Sequence, residues 1–373
     1  MSGAGEMGAT APGIVSEPDE AVSVFRRFME LPRYLRVVHG HEALAGTVGE
    51  ICAQLGFGSV AVASGTGFTR GPAEQLAAAL SGEALQVQGN ATSDVADLAR
   101  APSLTGSDAL VAIGGGRTID VAKSACERAG RPVIVVPTQL TADGIASPVA
   151  VIRVESGAFE SRHSRLPIAV AVDMDLVERA PAERARAGLG DLLANPCALR
   201  DWRRAAAAGR EEEVDDFAAL LSQVAADLVY ATNVMTLGAG EPAPALLERL
   251  LSGLVLSGLA MEIAGSSRPC SGSEHLVSHA LDQLHPGTAT HGEQVAFGTL
   301  LCTLLQGEDW RPARECMAAA GMASALDGFG LTTDEWAAVV RAASATRPGR
   351  YTVLDEVELS EDVLRFAIEE VRG

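Results

Sequence analysis

The chain has 373 residues, 47% of them hydrophobic and 21% charged, with a formal net charge of −19. That length accommodates two domains with substantial cores, and the composition is ordinary for a soluble globular enzyme. The acidic balance excludes nucleic acid and an anionic membrane surface as partners, since either needs a basic face; a small anionic substrate, met by one or two local cations, stays open.

Residues 1–20 are aperiodic and rich in Gly, Ala, Ser and Pro, which predicts a disordered extension. Glu6, Glu17, Asp19 and Glu20 interrupt any apolar run there, so no secretory signal is expected and the protein is placed in the cytoplasm. From 21 to 177, short β-branched runs alternate with helical patterns: strands over 59–63, 109–113, 132–136 and 168–172, helices over 71–80 and 118–129. Strands alternating with helices predict βαβ units and a parallel sheet covered on both faces. From 178 to 373 the β-like runs stop and Ala/Leu/Glu/Arg stretches predict an all-helical second domain. The longest apolar helical segment, 246–264, carries Glu248, Arg249 and Glu262 and reads as a buried helix rather than a membrane span. Cys52, Cys126, Cys197, Cys270, Cys302 and Cys316 form no CxxC pair and read as reduced thiols.

Residues 109–123 give a strand, a turn of Gly114, Gly115 and Gly116, then a helix opening on Arg117, Thr118 and Asp120. Glycines at such a turn let the backbone approach a phosphate, and the helix N-terminus offers free N–H groups. A tight βα turn without ligand is the plainer alternative, but three consecutive glycines exceed what a turn needs. The Gly-x-Gly-x-x-Gly expected after the first strand is missing from 64–70, so this is a nucleotide-binding sheet of another lineage. Lys123 is the only lysine among 29 basic residues; with abundant Ala and Gly, that skew points to a GC-rich bacterial genome.

After the next strand, the hydroxyls of Thr138 and Thr141 suit a ribose or a nicotinamide amide, and Asp143 points from the carboxyl end of the sheet. Capping of their own backbone explains such residues equally well. Asp191, among apolar neighbours, is costly unless a cation or N–H groups meet it; a helix N-cap is the alternative. Four of the seven histidines, His275, His279, His285 and His291, cluster between 275 and 291. His275 and His279 are four apart on one helix face, His285 with Pro286 and Gly287 ends that helix, and His291 opens the next. Imidazoles converging from two helices suit a divalent metal, yet spacing alone also fits one core histidine with the rest on the surface.

These segments together resemble the sn-glycerol-1-phosphate dehydrogenase family, in the dehydroquinate synthase and iron-containing alcohol dehydrogenase superfamily. The resemblance runs from Leu31 to Leu354 and is strongest over 114–123, 137–148, 187–202, 265–279 and 291–295. It implies a Rossmann-like α/β N-terminal domain, an all-α C-terminal domain and an active site in the cleft. It implies NAD or NADP on Gly114, Gly115, Gly116, Arg117, Thr118 and Asp120, touched by Thr138, Thr141 and Ser147. Zinc, with Fe2+ or Ni2+ as alternative occupants, would sit on Asp191, His275 and His291, which with His279 form the catalytic set. Asp143, Asp191 and His279 would contact a small phosphorylated substrate, dihydroxyacetone phosphate, and the enzyme would be a homo-oligomer serving phospholipid metabolism. Two departures stand out: Gln139 and Leu140 replace the usual small residues between the two hydroxyl positions, and His39-Gly-His41 replaces a glycine-rich turn. Three other readings remain at this point: an NAD-dependent sugar-phosphate cyclase of the dehydroquinate synthase type, a general metal-dependent alcohol dehydrogenase of a specialised bacterial pathway, and a catalytically silent nucleotide sensor.

Overall fold

Runs with no polar side chain make strands that belong in the middle of a sheet, and Ala109–Gly114 and Val133–Pro137 are such runs, buried at every residue. The computed structural model, which describes residues 31–155, 157, 159–230 and 244–373, places them at the centre of a six-stranded sheet. The extension expected over 1–20 lies outside the described residues.

The chain enters through β1 (Tyr34–Val38), α1 (His41–Leu55), β2 (Val60–Gly65), α2 (Arg70–Ala79), β3 (Glu83–Val87), α3 (Thr92–Arg100) and α4 (Pro102–Thr105). It continues through β4 (Ala109–Gly114), α5 (Gly116–Ala129), β5 (Val133–Pro137), β6 (Val149–Arg153), β7 (Phe159–His163), β8 (Ala169–Asp173) and α6 (Met174–Glu178). The sheet order is β1-β8-β5-β4-β2-β3, and every pair is parallel. The chain leaves β2 toward one edge and β4 toward the other. The crevice beyond their carboxyl ends is therefore the topological switch point, where open α/β sheets bind ligands.

An antiparallel hairpin of β6 and β7 was not expected. Its strand Val149–Arg153 alternates, with Ala150 and Ile152 buried and Val151 39% exposed, the pattern of a ribbon packed on one face.

After α6 the chain is helical: α7 (Ala182–Leu193), α8 (Asn195–Ala207), α9 (Asp216–Tyr230), α10 (Pro244–Ala264), α11 (Ser273–Leu284), α12 (His291–Leu305), α13 (Arg311–Ala319), α14 (Ala323–Leu326), α15 (Thr333–Ala343) and α16 (Glu361–Arg372). One face of the sheet packs on α1 and α2 through Leu44, Ile51 and Leu76. The other shares a single apolar core with the helices, from Ala112 and Val135 through Leu192 and Leu254 to Phe297 and Trp336. Among the described residues no helix is long and apolar enough to cross a membrane; α10 is buried along most of its length.

Candidate functional site

β4 ends at Gly114, Gly115 is the N-cap of α5, and Gly116 is its first residue. No side chain caps that helix end, so its leading N–H groups stay free at the carboxyl edge of the sheet. A Cβ on Gly114 would lie 2.8 Å from the Thr118 Cβ, one on Gly116 would sit 3.7 Å from Thr141 Oγ1, and one on Gly115 would collide with the Gln139 amide. Thr118, Gln139 and Thr141 thus ring the turn. The end of β2 borders it too, since a Cβ on Gly65 would lie 3.1 Å from Thr118 Oγ1. Thr138 joins through its backbone N–H, which donates to Gly114 O at 3.0 Å. Arg117 is exposed on the first turn of α5. Leu140 is only 1% exposed in the core, which leaves Gln139 as the departure that faces the turn.

The lone lysine has a clear role. Lys123 is fully buried, and its Nζ donates to Gly144 O at 2.8 Å and Val149 O at 2.5 Å, tying the loop that follows β5 to α5. Burial raises Asp120 to about 6 against the opposing pull of Lys123. Ser147, fully buried, donates its hydroxyl to Val149 O at 3.3 Å in the same loop.

That loop meets the helices through Asp143, whose N–H donates to Asp191 Oδ2 at 3.0 Å and whose Oδ2 accepts from Ser257 Oγ at 3.2 Å. Burial and the Asp191 carboxylate push Asp143 well above the usual carboxylate range. Asp191 lies inside the last turns of α7, so the helix N-cap alternative is wrong; Pro181 is the N-cap. It faces His275 from α11, Oδ1 to Nε2 at 3.4 Å, and ligand atoms of Asp191, His275 and His291 all lie within 4.8 Å of one another. Burial opposes protonation of His275, but Asp191 and Glu274 outweigh it and hold the ring up at about 10.

Both rings are oriented from behind. His275 Nδ1 meets Glu274 Oε1 at 2.9 Å, which turns Nε2 toward Asp191. Ser278 Oγ donates to Gln294 Oε1 at 2.8 Å, leaving a lone pair for the Nδ1–H of His291 at 3.1 Å. His291 Nε2 is then free to ligate, the arrangement in which a second carboxylate or hydroxyl fixes the tautomer of a metal-binding histidine. His291 opens α12 after Thr290, whose N–H and Oγ1 both donate to Glu293 Oε2. His279, one turn along α11 from His275, stands with its ring 6.3 Å from that of His291. His285 is the C-cap of α11, at the predicted turn. Glu274, Ser278 and Gln294 escaped the sequence reading; only the adjacency of Glu274 to His275 could have signalled one of them.

The donor set of two imidazoles and a carboxylate fits a divalent ion with a position left open, the pattern of a catalytic rather than a structural site. The uncapped, glycine-lined helix end fits a dinucleotide pyrophosphate. Residues 39–181 match the family model for iron-containing alcohol dehydrogenase. The chain is 36% identical over 348 residues to glycerol-1-phosphate dehydrogenase [NAD(P)+] of Methanothrix thermoacetophila, covering 92% of this chain and 96% of that protein. It is 36% identical over 349 residues to the enzyme of the same name from Pyrobaculum neutrophilum, covering 91% and 97%. In structure it resembles a probable glycerol dehydrogenase from Sinorhizobium meliloti, with a TM-score of 0.73 at 24% identity over 93% of this chain and 98% of that one, a likeness of fold. The chain belongs to the glycerol-1-phosphate dehydrogenase family, within the iron-containing alcohol dehydrogenase superfamily.

Proposed function

We propose that this family member is a metal-dependent, NAD(P)-linked dehydrogenase that interconverts dihydroxyacetone phosphate and sn-glycerol 1-phosphate. The observation that carries the reading is the convergence of Asp191, His275 and His291 within 4.8 Å, joined to the glycine turn by the loop that holds Asp143. Asp191, His275 and His291 would hold the ion, zinc in our reading, and Gly114, Gly115, Gly116, Thr118, Thr138 and Thr141 the dinucleotide. When bound, the ion supplies Lewis-acid polarisation of a carbonyl and the nicotinamide supplies the hydride.

The protein's own contribution is orientation and charge. Asp191 and Asp143 share one buried pocket, where burial and Asp191 raise Asp143 while His275 and His291 hold Asp191 down against its own burial. Burial, His291, His275, Arg347 and Arg350 push His279 down to about 3, so its ring is neutral at pH 7. A neutral imidazole there suits a hydrogen bond to the substrate. A cytoplasmic homo-oligomer acting in phospholipid synthesis belongs to the same reading.

The test is turnover by purified, zinc-loaded protein with dihydroxyacetone phosphate and either reduced cofactor. Stoichiometric cofactor oxidation with sn-glycerol 1-phosphate as product is expected. A panel in which free ketones or aldehydes outperform every phosphorylated compound would favour a general alcohol dehydrogenase, and consumption of a sugar phosphate without net cofactor oxidation would favour a cyclase.

Gly115 tests the cofactor half separately. Its backbone (φ −86°, ψ 180°) suits any residue, so a substitution acts by steric bulk alone. In Gly115→Val the side chain must displace the Gln139 amide and crowds the face of the turn, and dinucleotide affinity is expected to fall about tenfold or more, a change of at least about 1.4 kcal/mol. Zinc content should stay normal. Wild-type cofactor affinity in a folded Gly115→Val protein would remove the triple glycine from the site.

A further inference from the structure

Arg347, Pro348, Gly349 and Arg350 form a β-turn, closed by Arg350 N–H donating to Arg347 O at 3.1 Å. Proline at its second position and Gly349 at φ +87° in its third mark it as type II, a conformation that the glycine makes accessible. Such a turn brings its first and last residues side by side, so two guanidinium groups leave one point of the chain. Both reach the same hydroxyl: Arg347 Nη1 donates to Ser267 Oγ at 3.0 Å and Arg350 Nη2 at 2.8 Å. A serine oxygen has two lone pairs and one proton. With both lone pairs occupied, the Ser267 O–H is left to donate outward, alongside the remaining guanidinium N–H groups.

Charge is unbalanced here. Arg268, the third arginine of the cluster, is 3% exposed and committed, with Nε on Glu211 at 2.7 Å and Nη1 on Tyr351 O at 2.8 Å. Arg350 is 8% exposed and its other described bond goes to a neutral carbonyl, Ser271 O, at 2.6 Å. No carboxylate among the described residues forms an ion pair with Arg347 or Arg350. Burial, Arg347 and Arg268 together push Arg350 down to about 9 against the opposing pull of Glu274 and Glu211, neither of which forms an ion pair with it. Arg347 and Ser267 are only partly buried, so solvent reaches the pair. The turn follows directly on the 344–346 turn that packs against α11, and His279 of α11 feels both guanidinium charges while its ring stands beside His291.

We propose that Arg347, Arg350 and the Ser267 hydroxyl form the anion subsite that takes the phosphate of the substrate, with His279 between it and the ligand triad. Guanidinium suits this task because its planar N–H fork matches phosphate oxygens two at a time. Arg268 is excluded from the subsite and acts as a strut. The inference rests on the reaction assigned above and supplies that reaction with its selectivity for a phosphorylated ketone.

Two readouts on the zinc-loaded, cofactor-saturated enzyme test it. In Arg347→Gln the KM for dihydroxyacetone phosphate is expected to rise roughly 10- to 150-fold, the range for losing a charge-assisted bond, with a much smaller change in kcat. The preference for dihydroxyacetone phosphate over dihydroxyacetone should collapse by the same factor. Binding of inorganic phosphate, followed by calorimetry, should weaken in parallel. Ser267→Ala keeps both positive charges but removes the outward donor and the acceptor that Arg347 and Arg350 share, and should weaken both in the same direction. If the wild type reduces dihydroxyacetone phosphate while both variants keep its KM and its phosphate affinity, the subsite is wrong. If the wild type binds phosphate, loses it in both variants and turns over no dihydroxyacetone phosphate, the subsite stands and the assigned reaction falls.

Discussion

His275→Ala and His291→Ala are expected to lose bound zinc and turnover together, whereas His279→Ala keeps its zinc and loses turnover or substrate affinity. Each of the first two removes one of three converging donors, and a two-donor site in water has little hold on a divalent ion. Losing Lewis-acid assistance worth several kcal/mol should slow the reaction by at least about a hundredfold. The His275 variant carries an added cost. Its ring stands between Glu274 Oε1 at 2.9 Å and Asp191 Oδ1 at 3.4 Å, so removing it leaves two buried carboxylates facing a gap. That protein should melt below His291→Ala at neutral pH and recover part of the difference on acidification, as the carboxylates take up protons. His279 differs because no carboxylate or hydroxyl fixes its ring from behind among the described contacts, whereas both proposed ligands have such a partner. Elemental analysis of the three purified variants decides the assignment. Zinc loss in His279→Ala equal to that in His275→Ala would make His279 a ligand.

The i, i+4 spacing of His275 and His279 showed that both leave one face of α11, and the Pro-Gly after His285 located the end of that helix. Periodicity of 3.6 carries such information well. It could not separate a ligand from a substrate contact, because the distinction lies in what stands behind each ring. Those partners, Glu274 and Ser278, are near in sequence, but Gln294 arrives from α12 and Asp191 from α7. Long-range convergence of this kind leaves no local pattern. The same limit applies to Asp191, whose apolar neighbours showed that it needed a partner yet fitted an N-cap equally well. In the sheet, β4 and β5 were legible because both faces are buried and their runs are wholly apolar. The edge strands β1 and β3 were not, since Leu35 and Val37 are 43% and 47% exposed and β3 mixes Glu83 and Gln86 into its run. In the sequence, residue type alone makes Arg268, Arg347 and Arg350 equal candidates for a phosphate. The turn that pairs Arg347 with Arg350, and the Glu211 contact that removes Arg268, belong to the tertiary structure.

Gly292→Ala is expected to strip zinc from the enzyme although it removes no donor atom. α7 and α12 cross with their backbones in contact: a Cβ on Gly190 would collide with Gly292 O and lie 3.2 Å from the Ala296 Cβ, and a Cβ on Gly292 would collide with the Ala187 backbone. Each glycine is the chain neighbour of a proposed ligand, Asp191 on α7 and His291 on α12. The small residues therefore set the distance across which the carboxylate and the imidazole meet. A methyl group at 292 meets main chain, which has no rotamer to yield, so the two helices must move apart. Overpacking of this kind costs about 1–3 kcal/mol in stability. The same movement withdraws His291 from Asp191 and pulls its Nδ1 from Ser278, and loss of such a supporting contact lowers metal affinity about 10- to 100-fold. Three readouts separate this from general unfolding. Far-ultraviolet circular dichroism should stay native, zinc affinity by competition with a chelator should fall, and dinucleotide affinity should hold because the glycine turn is on the other side of Asp143. A Gly292→Ala protein with wild-type zinc affinity and melting temperature would mean that the α7–α12 contact has slack, and that the ligand geometry is set by the hydrogen bonds behind the rings alone.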